Sequence, residues 1–362
     1  MYKYQIHRDD LIIKILKAAK GDERYYNLRQ ITNIMEQTRT DKHNHTTREG
    51  GEVKTLMKRL GDLKNEDADW EYRADVDETG TLTRLWWMSP YQRTLAKFHG
   101  EVLILDVSEG RNMYDFYLTT FVVVDAENNT RNIAYCISES QDGETFEWMF
   151  RHLNHYLPAS FVAVFSDRDG AIANAIESVW PNVFHGICLW HLHKCIVTNL
   201  AAKMGGRFKS FMWDFWKVYR QGSPAAFVHE WGNMIRRWPE SADYLLTYIW
   251  PDREKWAWAW VGMRFLAGIR TTGRVESEHK QHKSAGLGRR STITEVFEIL
   301  NIRTSEQKDK ELAGRYQVGG QKCQITDDSL LKRGILFQGV LEPSFVLFWL
   351  SVVSVYRFTP IM

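Results

Sequence analysis

Three acidic residues in this chain are spaced so that they could do chemistry together. Asp106 closes the apolar run "EVLILD", Asp167 closes "SFVAVFSD", and Glu276 sits in "TTGRVESEHKQHK". An apolar run ending in an acid is the signature of a buried strand with a carboxylate at its exposed end. Two carboxylates at neighbouring strand ends repel, which raises a pKa or loosens the strands unless a cation lies between them. Mg²⁺ takes oxygen ligands. Two such ions, about 3.5–4 Å apart, activate a nucleophile and stabilise a leaving oxygen in phosphoryl transfer. A site of this kind wants a third carboxylate on a helix packed across the strand ends, and Glu276 is placed for that. Glu278 faces about 200° away on the same helix, so only one of the two can point into the site. Taken singly, each acid is equally an ordinary turn or cap residue. Asp169 is placed to be an N-cap.

A second cluster, "GICLWHLHKC" (186–195), looks like half of a metal site. Cys188 and His191 have CxxH spacing, with His193 and Cys195 close behind. Structural zinc wants four ligands, and no second pair appears at finger spacing, because Cys136 and Cys323 are isolated. If the segment is helical, Cys188, His191 and Cys195 share a face and His193 points away. Zinc at Cys188 and His191 is therefore the weaker reading, and core packing the stronger.

The elements that would position these residues follow from periodicity. "EVLILDV", "FYLTTFVVVD" and "RNIAYCISES" read as three strands. "GETFEWMFRHLNHYL" reads as a helix and "SFVAVFSD" as a fourth strand. "DGAIANAIESVW" is a helix, "NVFHGICLW" a short fifth strand, and "HLHKCIVTNLAAK" a helix after it. Three meandering strands are followed by a right-handed crossover, and if the fourth strand pairs with the first, the mixed sheet has the order 3-2-1-4-5, the ribonuclease-H-like arrangement. That order sets the ends of strands one and four side by side, where ligands collect in α/β sheets.

The chain divides by composition into five stretches. Residues 1–100 read as helices ("DLIIKILKAAKG", "NLRQITNIMEQ", "VKTLMKRLGDL") and a hairpin, "WEYRADVDETGTLTRLWWM". Residues 101–204 form the α/β core. Residues 205–268 are a Trp-rich helical insertion, 269–305 return as helices carrying the third acid, and 306–362 form a tail.

The order of these blocks resembles the Mutator-like element (MULE) transposases, whose catalytic domain is of the DDE type. Four blocks carry the resemblance: the first aspartate block, "EVLILDVSEGRNMYDFYLTTFVVVDAENN"; the strand–Ser–Glu–helix block, "AYCISESQDGETFEWMFRHL"; the second aspartate block with its CxxH signature, "VFSDRDGAIANAIESVWPNVFHGICLWHLHKCI"; and "TTGRVESEHKQHK". The resemblance covers about residues 60–305. The resemblance implies Asp106, Asp167 and Glu276 as catalytic residues and as ligands of two Mg²⁺ or Mn²⁺ ions, with Cys188 and His191 as the CxxH pair. It implies DNA, element ends and target, as the partner, self-association, and a nuclear location. The sequence departs from the family pattern at Val107 and Ser108 after the first acid and at Gly273, and Cys323 has no CxCxxH companions. Two other readings therefore stand beside active transposition: a domesticated, non-catalytic DNA-binding regulator, and an inactive fragment.

Composition agrees with a folded DNA-associated protein without demanding one. The 362 residues are 44% hydrophobic and 25% charged, enough for a sizeable core. Net charge is +2, so any basic footprint must be local. Between positions 264 and 290 lie Arg264, Arg270, Arg274, Lys280, Lys283, Arg289 and Arg290 against only Glu276 and Glu278. Phosphate backbones favour such a stretch beside a nuclease-like site. A second basic stretch runs from Lys203 to Arg220. Trp256, Trp258 and Trp260 could stack on bases, but core packing explains them better. Four cysteines argue for a reducing compartment. The opening "MYKYQIHRDDL" has no apolar signal-peptide region. The apolar run Ser344–Tyr356 falls short of the roughly 20 residues that span a bilayer, so no membrane is expected.

Overall fold

The computed structural model describes residues 51–320, apart from Phe265, Ala267 and Arg270. The two helices expected within residues 11–37 and the tail beyond Gly320, including Ser344–Tyr356 and Cys323, lie outside the described residues.

Helix α1 (Glu52–Glu66) leads into a hairpin of β1 (Glu71–Val76) and β2 (Leu82–Met88). Its turn is set by the Asp77 carboxylate, which accepts from the Thr79 and Thr81 amides at 2.8 and 2.9 Å. Gly80 follows at φ +82°, a conformation that suits glycine. Helix α2 (Pro90–His99) starts at a capping box: the Ser89 side chain accepts from the Gln92 amide and the Gln92 side chain from the Ser89 amide, with Pro90 at the first helical position. Then come β3 (Val102–Ser108), β4 (Tyr117–Val124), β5 (Thr130–Ser138), α3 (Gly143–Asn154), β6 (Ala163–Ser166), α4 (Gly170–Val179), β7 (Phe184–Ile187) and α5 (Leu189–Met204). Asp169 caps α4 as its position suggests, accepting from the Ile172 amide at 2.9 Å.

All seven strands form one mixed sheet in the order β1-β2-β5-β4-β3-β6-β7. Counted from β3, its five later strands run 3-2-1-4-5. β3, β4 and β5 pair antiparallel, whereas β6 pairs parallel with both β3 and β7. The hairpin, expected from sequence to stand in a separate N-terminal region, instead extends this sheet through β2 against β5, with Leu85 opposite Ile137 and Trp87 opposite Tyr135. The reason is apolar: Leu85, Trp86, Trp87 and Met88 are all fully buried, so β2 has two faces to cover.

One sheet face packs on α2, α3 and α4 around Phe121, Phe146, Phe150 and Trp180. The other face is covered in two parts. Under the hairpin, α1 and α12 (Ile293–Gly320) close on Trp87, Tyr135 and Phe297. Over β3 and β6, Ile104 and Phe165 meet Val261, Leu266, Ile269 and Val275. Helix α12 continues to Gly320, so residues 306–320, expected to open a tail, prolong a structural helix in which Gln307 is buried.

Between α5 and α11 (Gly273–Ser284) the chain is helical: α6 (Phe208–Tyr219), α7 (Pro224–Arg237), α8 (Pro239–Tyr244), a π-helical turn, α9 (Arg253–Trp256) and α10 (Trp258–Val261). These share a core with α5 built on aromatic rings. Trp256 is 2% exposed and stacks on Phe215, with ring centroids 5.5 Å apart. Trp258 and Trp260 pack against the same cluster, so this Trp run serves packing rather than base stacking.

Strand β7 lies close to its neighbour because residue 186 is glycine. A Cβ there would sit 2.3 Å from the buried Phe165 ring. Gly186→Ala is expected to destabilise the fold by about 1–3 kcal/mol through overpacking, read from the urea midpoint. An unchanged midpoint would mean that β7 can move away at no cost.

Candidate functional site

Asp106 stands near the end of β3, and Asp167 follows directly on β6, its parallel partner. Helix α11 packs against β3 and β4 and brings Glu276 and His279 over the same end of the sheet. Asp106 is 6% exposed; Asp167 and Glu276 are half-buried. The charge of Asp106 reaches both of the other acids. Burial pushes the Asp167 carboxyl above its ordinary range and the charge of Asp106 pushes it further. Glu276 is likewise raised, first by burial and then by Asp106, with His191 opposing. Asp167 Oδ1 and Glu276 Oε1 are buried without a hydrogen-bond partner, which is costly for a carboxylate oxygen unless a cation compensates it.

Asp106 itself is differently placed. His279 Nδ1 lies 3.3 Å from its Oδ2, and both side chains are 9% exposed. Arg111, 7% exposed and hydrogen-bonded through Nε to the Ser108 hydroxyl, sets a guanidinium charge near it. Burial draws the Arg111 pKa down while Asp106 draws it up. Neither His279 nor Arg111 stands out in the sequence, although His279 lies one helical turn beyond Glu276, a spacing that places both on one face. Glu278 points the other way, as its angular offset requires: it is 4% exposed and bonded to Arg303 of α12.

The oxygen donors Asp106, Asp167 and Glu276 suit Mg²⁺ by type, and the two unpartnered oxygens are what such an ion would engage. Their present arrangement does not gather them on one point. Among the described residues no group of three or more His, Cys, Asp or Glu side chains is placed to hold a metal ion. Cys188 and His191 likewise belong to no such group among the described residues. Cys188 stands just before α5, with a non-helical backbone, fully buried, and its sulfur accepts from Thr272. Cys195 is exposed, so the two cysteines do not converge. His191, half-buried, lies 3.9 Å through Nε2 from Glu276 Oε1. Burial alone would lower its pKa, but the hydrogen bond and charge of Cys188, with Asp106 and Asp167, raise it.

The basic stretch is only partly a free surface. Lys280, Lys283, Arg289 and Arg290 are exposed. Arg274 is engaged with Asn128 and Thr130, and Arg264 is exposed but lies over the Phe184 ring. Arg270 falls outside the described residues. In the second stretch, Arg207 pairs with Glu240 at 2.7 Å and Lys217 with Glu230 at 3.0 Å.

A buried histidine beside the site gives a pH prediction. His282 is fully buried, both ring nitrogens lack partners, and burial, then His279, pushes its pKa down to about 3. A histidine held neutral in the fold but near 6.5 when unfolded contributes its full stability above about pH 6.5 and loses it as pH falls. We expect a loss of up to about 1.4 kcal/mol per pH unit below that point. His282→Leu should flatten that dependence in urea titrations from pH 7 to 4. An unaltered slope would show that water reaches the ring.

The mixed sheet thus carries two acids at the ends of neighbouring parallel strands, and a third stands on the helix packed over them. Residues 102–195 match the family described as the MULE transposase domain. The chain is 23% identical over 258 residues to "Protein FAR-RED IMPAIRED RESPONSE 1" of Arabidopsis thaliana, covering 70% of this chain and 31% of that protein. It is 21% identical over 251 residues to "Protein FAR1-RELATED SEQUENCE 7" of the same plant, covering 68% and 32%, and 21% identical over 273 residues to "Protein FAR1-RELATED SEQUENCE 4", covering 72% and 36%. The chain thus spans about a third of the length of the curated relatives it matches. Among solved structures it has a weak likeness to the "Drosophila P element transposase strand transfer complex", with TM-score 0.24 and 15% identity over 55% of this chain and 51% of that one.

Proposed function

We propose that this chain is a nuclear DNA-binding regulatory protein derived from a MULE transposase, whose ribonuclease-H-like sheet and acid cleft serve to hold DNA rather than to cut it. The observation that carries the reading is the state of Asp106, the acid whose charge reaches both of the others. It is engaged by His279 at 3.3 Å and faces the buried Arg111 charge. Asp106 thus has an imidazole and a guanidinium of the chain itself beside it. Relatives named for a far-red response rather than for transposition point the same way. The grip would come from Lys280, Lys283, Arg289 and Arg290, the exposed residues on and just after the helix that carries Glu276. Residues 205–268 would be an insertion separating that helix from the sheet.

The test is binding to duplex DNA, followed by fluorescence anisotropy between 50 and 200 mM salt. The expected result is an affinity whose logarithm falls linearly with the logarithm of salt, with a slope of about −0.9 per phosphate neutralised. No binding at 50 mM salt would remove the reading.

A second reading has its own support. Asp167 Oδ1 and Glu276 Oε1 are buried without a hydrogen-bond partner, as expected of ligands awaiting a cation. In that reading the chain is a DDE-type transposase, with Asp106, Asp167 and Glu276 holding two Mg²⁺ or Mn²⁺ ions. When bound, these would supply nucleophile activation and leaving-oxygen stabilisation for phosphodiester cleavage and strand transfer. His279 would have to release Asp106 first.

A further inference from the structure

We infer that Cys188, with Thr272 as its partner, is the positioning residue that ties the helix of the third acid to the strand end of the second. The inference rests on Glu276 being the third member of the acid cleft. Its geometry is a chain of hydrogen-bonded and covalent links. The Cys188 amide donates to the carbonyl of Ser166 at 2.9 Å, one residue before Asp167. The Cys188 sulfur accepts from the Thr272 amide at 3.2 Å and from the Thr272 hydroxyl at 2.9 Å. The Thr272 carbonyl accepts from the Val275 amide at 2.8 Å and the Glu276 amide at 3.1 Å. Asp167 and Glu276 are thereby joined through one thiol, although the whole helical excursion α6–α10 separates them in sequence.

Thr272 explains why a thiol is needed. It stands at the N-cap of α11, where a threonine hydroxyl ordinarily accepts from an amide of the first turn. Here it makes no such cap bond. Its hydroxyl is turned back to Cys188 and lies 3.4 Å from His191 Nδ1. Both Thr272 and Cys188 are fully buried, so losing one leaves the other with His191 as its remaining side-chain partner there. The helix start has given up its own cap in order to be fixed to the sheet. His191, near the start of α5, adds an approach of 3.9 Å to the Glu276 carboxylate itself. The CxxH spacing thus acquires a purpose without metal: its first residue fixes the helix start and its last faces the acid that the helix carries.

Hydrogen–deuterium exchange on the whole chain tests this, and needs neither DNA nor metal, so it stands or falls independently of the DNA-binding reading. Cys188→Ala and Thr272→Val should each raise exchange over residues 273–278 by about tenfold, the effect of removing one or two net hydrogen bonds. Strands β3 and β4 and the insertion helices should be unchanged. The double variant should exchange no faster than either single one, because both remove the same link. Thr272→Ser, which keeps the hydroxyl, should restore slow exchange. Unchanged exchange in both single variants, multiplicative effects in the double, failure of Thr272→Ser to rescue, or acceleration spread across the sheet would each overturn the proposal.

Discussion

Replacing Glu278 by alanine is expected to destabilise the fold by about 3–5 kcal/mol, the cost of breaking a buried ion pair from one side. The carboxylate is 4% exposed and fully used. Oε1 accepts from Arg303 Nη2 at 2.8 Å, and Oε2 from Arg303 Nε at 2.9 Å, Asn132 Nδ2 at 2.9 Å and Gln307 Nε2 at 3.2 Å. One residue of α11 therefore holds β5 and α12 together, next to the Asp125–Arg131 pair at 2.6 Å, whose arginine also bonds the Gln307 carbonyl. Alanine leaves Asn132 Nδ2 without its acceptor and Arg303 with only the exposed Glu306. Replacing Glu278 and Arg303 together by Leu and Met should recover most of the stability, since an apolar pair has no charge to desolvate. Urea denaturation reads both. A single-variant cost under about 1 kcal/mol would mean that water reaches the network, contrary to its burial.

The second large effect concerns DNA. Reversing Lys280, Lys283, Arg289 and Arg290 to glutamate should weaken duplex binding on the order of 100-fold at 100 mM salt and flatten the salt dependence by about 0.9 for each phosphate no longer neutralised. The four side chains are exposed and spend little on internal structure, so the folded state should tolerate the change. Lys58 and Arg59 are the control. They are exposed on α1, which carries none of the three acids, and their reversal should alter affinity less than about threefold, the size of a general charge effect rather than of direct binding. Equal weakening in both variants would show diffuse attraction to a basic protein and no footprint beside the cleft.

Much of this arrangement is legible in the residues. β3 and β6 are apolar runs ending in acids, and the crossovers between them leave a parallel pairing as the simplest solution. Asp169 is recognisable as a cap from its place before "GAIANAIESV", and the Trp run is recognisable as core from the area such side chains bury. The hairpin is harder. "LTRLWWM" advertises a strand, but nothing local says that Trp87 will meet Tyr135 of β5 rather than close a small domain of its own. The extent of α12 is hidden for a similar reason: Gln307 reads as a surface residue until Arg131, Asn132 and Glu278 are brought around it. At the site, the acids announce themselves and their partners do not. Arg111 looks like a loop residue and His279 like one member of a polar helix face. Cys188 suggests metal because its real partner, Thr272, lies across the entire insertion. Long-range pairs of single residues leave no periodic trace.

The reading of the cleft as a DNA-holding site turns on whether it cuts. The direct measurement is nicking of supercoiled plasmid by the purified chain with Mg²⁺ or Mn²⁺, alongside Asp106→Asn and Asp167→Asn, with DNA binding recorded on the same samples. All three proteins are expected to bind DNA and none to nick it above background, because His279 lies against Asp106 and the Arg111 charge acts on it. Metal-dependent nicking by the native chain that disappears in both aspartate variants, with binding intact, would contradict it and establish the two-metal mechanism in its place.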